Sequence, residues 1–249
     1  MLGHPCVVRR IAGNGGRKLK RETRRKKKQV DYRVMNYFDK VFKWSIAAMC
    51  EKDGDLPVVK GCHVIPKCLV SFLDAKKKLW NGAFLHFFHS DYLFDGEHGI
   101  WLDTLRHLKA LENFRGVLSP DFSMYMDAGR IPNLWNTYRN RLLQCHLERL
   151  GILVVPTVSW ADPTTYDYCF RGIPRHSVVA VSSLGVMGAP ERRRTFEDGY
   201  SKMCEVLQPE CVVLYGSDRN LSLGETPHRC FRNGTYDWTD LTAQCRKEV

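Results

Sequence analysis

Three aspartates follow apolar runs of the sequence, close to the point where each run ends. Asp91 follows AFLHFFH, Asp121 follows RGVLS, and Asp162 follows GILVVPTVS. Carboxylates gathered at one place can bind a divalent metal, or one can donate a proton while its neighbour accepts one. Asp91, Asp121 and Asp162 are therefore the candidate catalytic residues.

A divalent metal is a cofactor that such carboxylates would suit, and it would favour phosphoester chemistry. Against a metal, the sequence lacks the dense histidine–carboxylate spacings of well-known metallohydrolases. The segment GCHVIPKC contains Cys62, His63 and Cys68, but no second close pair of cysteines or histidines at zinc-site spacing. The sequence therefore assigns no metal ligand, and it leaves the cofactor unknown, with a divalent ion as one alternative.

Hydroxyl, aromatic and cationic side chains in the same region are candidates for binding a small-molecule ligand. SPDFS places two serines beside Asp121, and WNTYRNR starts a predicted helix in which residues three or four apart share a face. A guanidinium on that face would suit a phosphate or a carboxylate. The candidate ligand-binding residues are Ser119, Ser123, Trp135, Asn136, Tyr138, Arg139, Arg141, Trp160 and Ser182.

Each of these residues also has a purely structural interpretation. Serine and aspartate after a strand can cap the helix that follows, which needs no ligand. Trp135 and Tyr138 can form a packing stripe while the arginines are solvated or ion-paired. Gly185 and Gly188 in SSLGVMGAPERR match neither a Walker loop nor a dinucleotide fingerprint, so an ordinary connection is favoured there over an anion-binding loop.

Five apolar runs alternate with stretches that are long enough for helices. The runs are AFLHFFH, RGVLS, GILVVPTVS, SVVAVSS and CVVLYG, and the helical stretches are residues 99–113, 131–150, 164–170 and 190–207. This alternation is typical of a parallel sheet covered on both faces. We predict an α/β fold with a mostly parallel sheet of at least five strands flanked by helices, and we favour an open sheet over a (β/α) barrel. The carboxyl ends of the strands would then meet at one edge, where ligands bind.

Positive charge is concentrated near the N-terminus. Residues 9–28 hold eleven basic residues and one acid, a balance of +10 in a chain whose net charge is +11. We predict a disordered basic arm over residues 1–30, a single α/β domain over 31–220 and a C-terminal extension over 221–249. Such an arm attracts polyanions. The candidate nucleic-acid-binding residues are Arg17, Lys18, Lys20, Arg21, Arg24, Arg25, Lys26, Lys27 and Lys28.

The cysteines and the hydropathy pattern bear on the compartment. Ten cysteines are scattered along the chain, several inside apolar runs, which favours free and mostly buried thiols in a reducing environment. The sequence has neither the apolar core of a signal peptide nor the roughly 18 uncharged residues that a membrane helix requires. We therefore expect a cytoplasmic protein with no membrane partner.

Six segments, taken in order, resemble one protein family. They are LHFFHSDYLFDG, GVLSPDFSMY, LWNTYRNRLL, GILVVPTVSWAD, YCFRGIPRHSVVAVSSLGV and VVLYG, and over residues 84–216 they resemble the bacterial and phage family called domain of unknown function 4417. The resemblance implies a cytoplasmic α/β protein of bacteria, phages or plasmids, and it brings no assigned activity. Where the family pattern has two acidic residues after HFF, this chain has Ser90 and Asp91, which argues against a two-carboxylate metal site.

Two functions are consistent with these observations. The one we favour is a phage-type or mobile-element protein that associates with nucleic acid through its basic arm. The alternative is an enzyme that acts on a phosphorylated or nucleotide substrate at an Asp-rich pocket, with the arm incidental. Removing the arm would distinguish the two, and the sequence leaves the oligomeric state open.

Overall fold

The computed structural model describes residues 39–75 and 80–232. The predicted basic arm over residues 1–30, with its nine candidate nucleic-acid-binding residues, lies outside the described residues. None of the helices in the described part of the chain is long and apolar enough to cross a membrane.

The strands form a small hairpin and two parallel sheets. In the hairpin, β1 (Lys52–Asp53) pairs antiparallel with β2 (Leu56–Pro57). The first parallel sheet has the order β3-β4-β5-β6, formed by Leu69–Ser71, Trp80–His86, Phe114–Leu118 and Val154–Val155. The second has the order β7-β8-β9, formed by Val178–Ser182, Cys211–Tyr215 and His228–Phe231. The α/β class with parallel strands is thus confirmed, and the five predicted strands are β4 to β8, divided between the two sheets.

Two strands of the parallel sheets lie outside the five that were predicted. β3 and β9 are only three and four residues long, and they form the outer strands of their sheets. β9 lies within the stretch that was predicted as a C-terminal extension, so the second sheet continues beyond residue 220. Its sequence, HRCF, lacks the β-branched residues that mark its sheet neighbours β7 and β8.

A short contact links the two sheets. Thr157 and Ala180 form a parallel bridge, in which the Val158 N–H donates to the Ala180 carbonyl at 2.8 Å and the Ala180 N–H donates to the Pro156 carbonyl at 2.8 Å. Pro156 has no N–H to add to the ladder, which limits the pairing at this junction. β6 and β7 are therefore neighbours, although the hydrogen-bonded sheets are separate.

The two sheets curve around a shared interior. The rings of His86, at the end of β4, and Tyr215, at the end of β8, have centroids 4.3 Å apart. These strands are four steps apart in the order, so in a flat sheet with strands about 4.8 Å apart they would be separated by about 19 Å. The interior is filled by strand and loop side chains such as Phe84, Leu118 and Val213, and none of its described residues belongs to a helix. No ladder joins β3 to β9 within residues 39–75 and 80–232. In these residues the parallel strands form two curved sheets of four and three strands, so the predicted single sheet of at least five strands is not formed.

Besides the helical residues 39–42, four α-helices accompany the strands in the described residues. They are α1 (Trp44–Ala47), α2 (Thr104–Leu111), α3 (Arg130–Arg149) and α4 (Pro190–Leu207). The last two agree with the predicted ranges to within one residue. The predicted helix over 164–170 is wrong, because only Pro163–Thr165 is helical there, as a 3-10 turn. The carbonyls of Cys169 and Arg171 instead accept hydrogen bonds from the side chain of Arg141.

Helices α3 and α4 cover the outer faces of the two sheets. α3 buries Leu142 and Leu147 in a cluster with outward-facing side chains of β4 to β6. α4 buries Phe196 and Met203 in a cluster with β7 and β8. Each fully buried side chain of this size contributes about 1.5–3 kcal/mol to stability. Because α4 follows β7 directly, this packing places the N-terminus of α4 beside the carboxyl ends of the strands.

Candidate functional site

A cavity of about 1030 Å³ lies at the carboxyl ends of β4 to β7. Its walls come from the segments that follow these four strands and from the first turns of α4. In parallel sheets this edge is where ligands bind, since the strand ends leave a crevice between the connections. The residues used below that line it are Phe88, Asp121, Ser159, Trp160, Arg192 and Thr195.

Asp121 lines the cavity with a carboxyl group that lacks a full set of partners. Its Oδ1 atom is buried and accepts no hydrogen bond in the structure. Burial and then the charge of Asp91 raise the pKa of Asp121 to about 7, while a hydrogen bond from the Ser159 side chain acts in the opposite direction. A carboxyl group of this kind holds a proton near neutral pH and can give it up there.

Asp91 lies beside Asp121 and makes the hydrogen bonds that a capping residue would make. The backbone N–H of Ser123 donates to Asp91 at 3.1 Å from Oδ2, and the Ser123 hydroxyl donates to Oδ1 at 2.7 Å. An Asp121 that served only as a cap would accept the backbone N–H of a residue two or three positions later, Ser123 or Met124. The N–H of Ser123 is taken by Asp91, which leaves the Asp121 carboxyl directed to the cavity.

Asn136 and Arg139 support this arrangement from α3. The Asn136 side-chain amide donates to the Ser123 carbonyl at 2.6 Å, and Arg139 donates to the Asn136 Oδ1 at 2.7 Å. Arg139 also forms an ion pair with Asp95 and lies over the Phe122 ring at 3.9 Å from its centroid. Arg139 is therefore a support for the loop that carries Ser123, and it does not line the cavity.

Three other candidates on α3 have structural contacts. Trp135 and Tyr138 stack with centroids 5.6 Å apart and pack against the apolar cluster under α3, which agrees with the packing-stripe interpretation. Arg141 is buried, and burial lowers its pKa to about 10. Its guanidinium donates to the carbonyls of Thr157, Cys169 and Arg171. Arg141 thus ties α3 to the chain after β6.

Ser119 also has a structural role, between β5 and β6. The Thr157 N–H donates to the Ser119 hydroxyl at 2.7 Å, and the Thr157 hydroxyl donates to the Ser119 carbonyl at 2.6 Å. Asn140 donates to the carbonyl of Pro120 from α3. These bonds hold the turn after β5 so that Asp121, the next residue, is directed to the cavity.

Trp160 and Ser182 line the cavity, as does Ser123. The Trp160 indole N–H donates to the Thr195 carbonyl at 3.3 Å, which joins the end of β6 to α4. The indole packs directly on Gly199 of α4, where a Cβ atom would lie 2.0 Å from the indole nitrogen. The absence of a side chain at Gly199 therefore allows Trp160 to lie between the sheet and the helix.

Asp162 lies apart from the other two aspartates. Its Oδ1 accepts the Thr164 N–H at 2.8 Å and the Thr164 hydroxyl at 2.6 Å, so it caps the 3-10 turn that begins at Pro163. It is not among the cavity residues. The described part of the chain contains no group of three or more His, Cys, Asp or Glu that could hold a metal ion. In the segment GCHVIPKC, the His63 Nδ1 atom lies 3.0 Å from a carboxylate oxygen of Glu210.

Most lining residues were not among the sequence-predicted site residues, and His89, Ser159, Arg192 and Thr195 are examples with polar side chains. His89 and Ser159 come within four residues of the ends of β4 and β6, at the close of the apolar runs, so their position was a usable signal. Arg192 and Thr195 come from α4, and only the packing of that helix brings them to the cavity. His89 interacts with the Ser71 hydroxyl at 2.7 Å, and burial lowers its pKa.

Comparison with known proteins places the chain in a family. The family model described as Domain of unknown function (DUF4417) matches residues 50–228. The chain belongs to this family. The DUF4417 region includes every residue that lines the cavity, whereas the basic arm lies outside it.

Two relatives of this DUF4417 chain are phage proteins. The Gene 1 protein of Mycobacterium phage L5 is 36% identical over 140 residues, which are 56% of this chain and 60% of the relative. The Gene 1 protein of Mycobacterium phage D29 is 36% identical over 136 residues, which are 55% of this chain and 49% of the relative. The match thus spans about half to three-fifths of each relative. No solved structure matches the chain.

Proposed function

We propose that the protein is an enzyme in which Asp121 transfers a proton to or from a small ligand in the strand-end cavity. The observation that carries this proposal is the Asp121 carboxyl, buried at Oδ1 without a partner and with a pKa of about 7. A general acid or base works best when its pKa lies near the working pH. Buried groups with shifted pKa values in a cleft are also the usual mark of an active site.

Asp91 would act on the reaction through Asp121. Burial is the main reason why Asp121 keeps its proton, and the negative charge of Asp91 adds to it by disfavouring a second charge close by. Ser123 donates two hydrogen bonds to Asp91 and Asn136 donates to the Ser123 carbonyl, so these contacts fix Asp91 beside Asp121. Asp91 is a positioning residue in this proposal, since it is not among the lining residues.

The first test is a pH titration of the carboxyl groups by NMR on the full chain labelled with ¹³C-aspartate. We expect the Asp121 carboxyl to titrate near pH 7, and to titrate at lower pH in Asp91→Asn, because that change removes the neighbouring charge. Asp127→Asn is the matched control, since Asp127 is an exposed carboxylate on the same cavity. Titration of Asp121 near pH 4 in the unaltered chain would contradict the proposal.

The second test is turnover of a mixture of cell metabolites, followed by mass spectrometry. We expect the full chain to consume one class of compound and Asp121→Asn to consume none while remaining folded. Consumption that persists in Asp121→Asn would remove Asp121 from the mechanism.

We also propose that the chain associates with nucleic acid through its basic arm. The supporting observation is the balance of +10 within residues 9–28. Binding of this kind comes from phosphate neutralisation, so the logarithm of the affinity should fall with the logarithm of the salt concentration, with a slope of about 0.9 per phosphate contacted.

We further propose a reducing compartment, the cytoplasm, because the eight cysteines in the described part of the chain are all free.

The arm is tested by fluorescence anisotropy with labelled DNA and RNA at low salt. We expect the full chain to bind and a chain beginning at Val30 to lose most of that affinity. A full-length variant with glutamine at residues 24–28 keeps the length and removes five charges, so it should bind with intermediate affinity. Equal binding by the full and the shortened chain would exclude the arm as the binding element.

A further inference from the structure

We propose that the ligand of the cavity is a phosphate monoester whose phosphate binds Arg192 at the N-terminus of α4. This inference rests on the proposed function for the reacting end of the ligand, at Asp121. It assigns a role to a part of the cavity that the proton-transfer proposal does not use.

The first observation is the placement of three arginines at the start of α4. Arg192, Arg193 and Arg194 lie within its first five residues, after Pro190 and the exposed Glu191. The N-terminal end of a helix carries partial positive charge, so each cation there costs about 0.3–1 kcal/mol. Helix stability therefore gives no reason for this run of arginines.

The second observation is that the charges of these arginines are not balanced by carboxylates. None of the three forms an ion pair with a carboxylate in the described part of the chain. The Nε atom of Arg193 is buried and has no hydrogen-bond partner. Free guanidinium groups at the positive end of a helix are an arrangement that a bound anion would stabilise.

The third observation is that Arg192 shares a cavity with the Asp121 carboxyl. Arg192 lines the same space as the unpartnered Oδ1 of Asp121, and its guanidinium lies near Gly188, 3.9 Å from where a Cβ atom would be. Arg192 presents a guanidinium that forms no ion pair, and the Oδ1 atom of Asp121 lacks a hydrogen-bond partner. A ligand that satisfies both has a phosphate at one end and a proton-exchanging group at the other.

The remaining lining suits the body of such a ligand. Phe88, Trp160 and Phe196 contribute aromatic surface, and Ser159 and Thr195 contribute polar atoms. The volume of about 1030 Å³ is at the upper end of the range of about 300–1,000 Å³ typical of small-molecule pockets. The cavity can therefore hold a phosphorylated molecule up to the size of a nucleotide.

The test is protection of individual arginines from phenylglyoxal in the full chain, with the modified residues located by mass spectrometry. The probe is inorganic phosphate, compared with chloride and with succinate at the same ionic strength. Arg106 of α2, exposed and outside the cavity, is the internal reference. The rate at which Arg106 is modified also reports any effect of the salts on the reagent and any effect of anions held by the basic arm.

We expect phosphate at four times its Kd to slow modification of Arg192 about fivefold, because only the free site reacts, and to leave Arg106 unchanged. Equal slowing of Arg192 and Arg106 would overturn the phosphate site. Equal protection of Arg192 by succinate would also overturn it, because the site would then select charge and not phosphate.

The outcomes separate this inference from the proposed function. Protection of Arg192 should persist in Asp121→Asn, since the anion site does not use that carboxyl. If Arg192 is protected while Asp121 titrates near pH 4, the proton-transfer proposal fails and the phosphate site stands. If Asp121 titrates near pH 7 and Arg192 is not protected, the phosphate site alone fails.

Discussion

Replacing Asp121 with asparagine should change how the stability of the chain depends on pH. The pKa of Asp121 is raised from 3.8 to about 7, so between these pH values the folded chain holds a proton that the unfolded chain has released. This proton contributes stability that is fully present below about pH 4 and is lost as the pH rises to 7. Asparagine cannot ionise, so Asp121→Asn does not suffer that loss.

The magnitude follows from the size of the shift. The pKa of Asp121 rises from 3.8 to about 7 on folding. At about 1.4 kcal/mol per pKa unit, the contribution to the free energy of unfolding is at most about 4 kcal/mol. The free energy of unfolding of Asp121→Asn, minus that of the unaltered chain, should therefore rise by up to about 4 kcal/mol between pH 4 and pH 8. Below pH 4 the difference should be constant, because both side chains are then neutral.

The assay is urea unfolding at one-unit pH intervals from 4 to 8. His86 and His146 also depend on pH, because burial lowers their pKa values to about 3 and about 4. Buried neutral histidines make the chain more stable as the pH rises to about 6.5, which opposes the effect of Asp121. The difference between the variant and the unaltered chain cancels these histidine contributions.

Asp127→Asn is the matched control for this prediction. Asp127 lines the same cavity but is exposed, so its replacement should leave the profile parallel to that of the unaltered chain. Parallel profiles for Asp121→Asn and the unaltered chain across pH 4 to 8 would refute the assignment of a proton-holding carboxyl.

Two further substitutions test the supports of the cavity by urea unfolding. Gly199→Ala places a Cβ atom 2.0 Å from the Trp160 indole nitrogen. We expect this overpacking to lower the free energy of unfolding by about 1–3 kcal/mol, even though alanine favours a helix over glycine by about 1 kcal/mol. Gly188→Ala, which meets only ordinary contacts, is its control, and equal stability of the two would refute the steric argument. Arg141→Lys should cost about 2–4 kcal/mol, because a lysine ammonium cannot donate to all the buried carbonyls that the guanidinium reaches. Arg130→Lys, in an exposed ion pair, is the control and should change the stability far less, because exposed ion pairs contribute little. A loss of stability in Arg141→Lys no larger than in Arg130→Lys would contradict the role of Arg141 as a tie between α3 and the loops.

The prediction of the strands depended on local pattern and mostly succeeded. β4, β5, β7 and β8 are apolar runs rich in valine, leucine or phenylalanine, and such runs are buried on both faces in parallel sheets. The range predicted for α4 is the observed one, because Pro190 suits the first turn of a helix. The failures were at short or polar segments, such as β9 and residues 164–170, where tertiary contacts decide the conformation.

The roles of the polar residues were predicted less well. Asp121, Ser123, Trp160 and Ser182 were placed at a common edge by their positions after strands, and they line the cavity. Arg141 was a ligand-binding candidate with the same local pattern, yet it is buried against carbonyls. A sequence pattern gives the face on which a side chain lies, whereas its partners come from segments far away in the chain.

By itself, the amino-acid sequence determined the α/β class, the order of the main strands and helices, the edge where polar groups gather and the concentration of charge in residues 9–28. These features arise from neighbouring residues, through the spacing of apolar side chains and the repulsion between like charges. Only the tertiary structure decided that the sheets curve, that burial and then the charge of Asp91 raise the pKa of Asp121, and that Arg192 of α4 reaches the same cavity. The reason is that burial and Coulomb interaction depend on distances in space between groups separated by tens of residues.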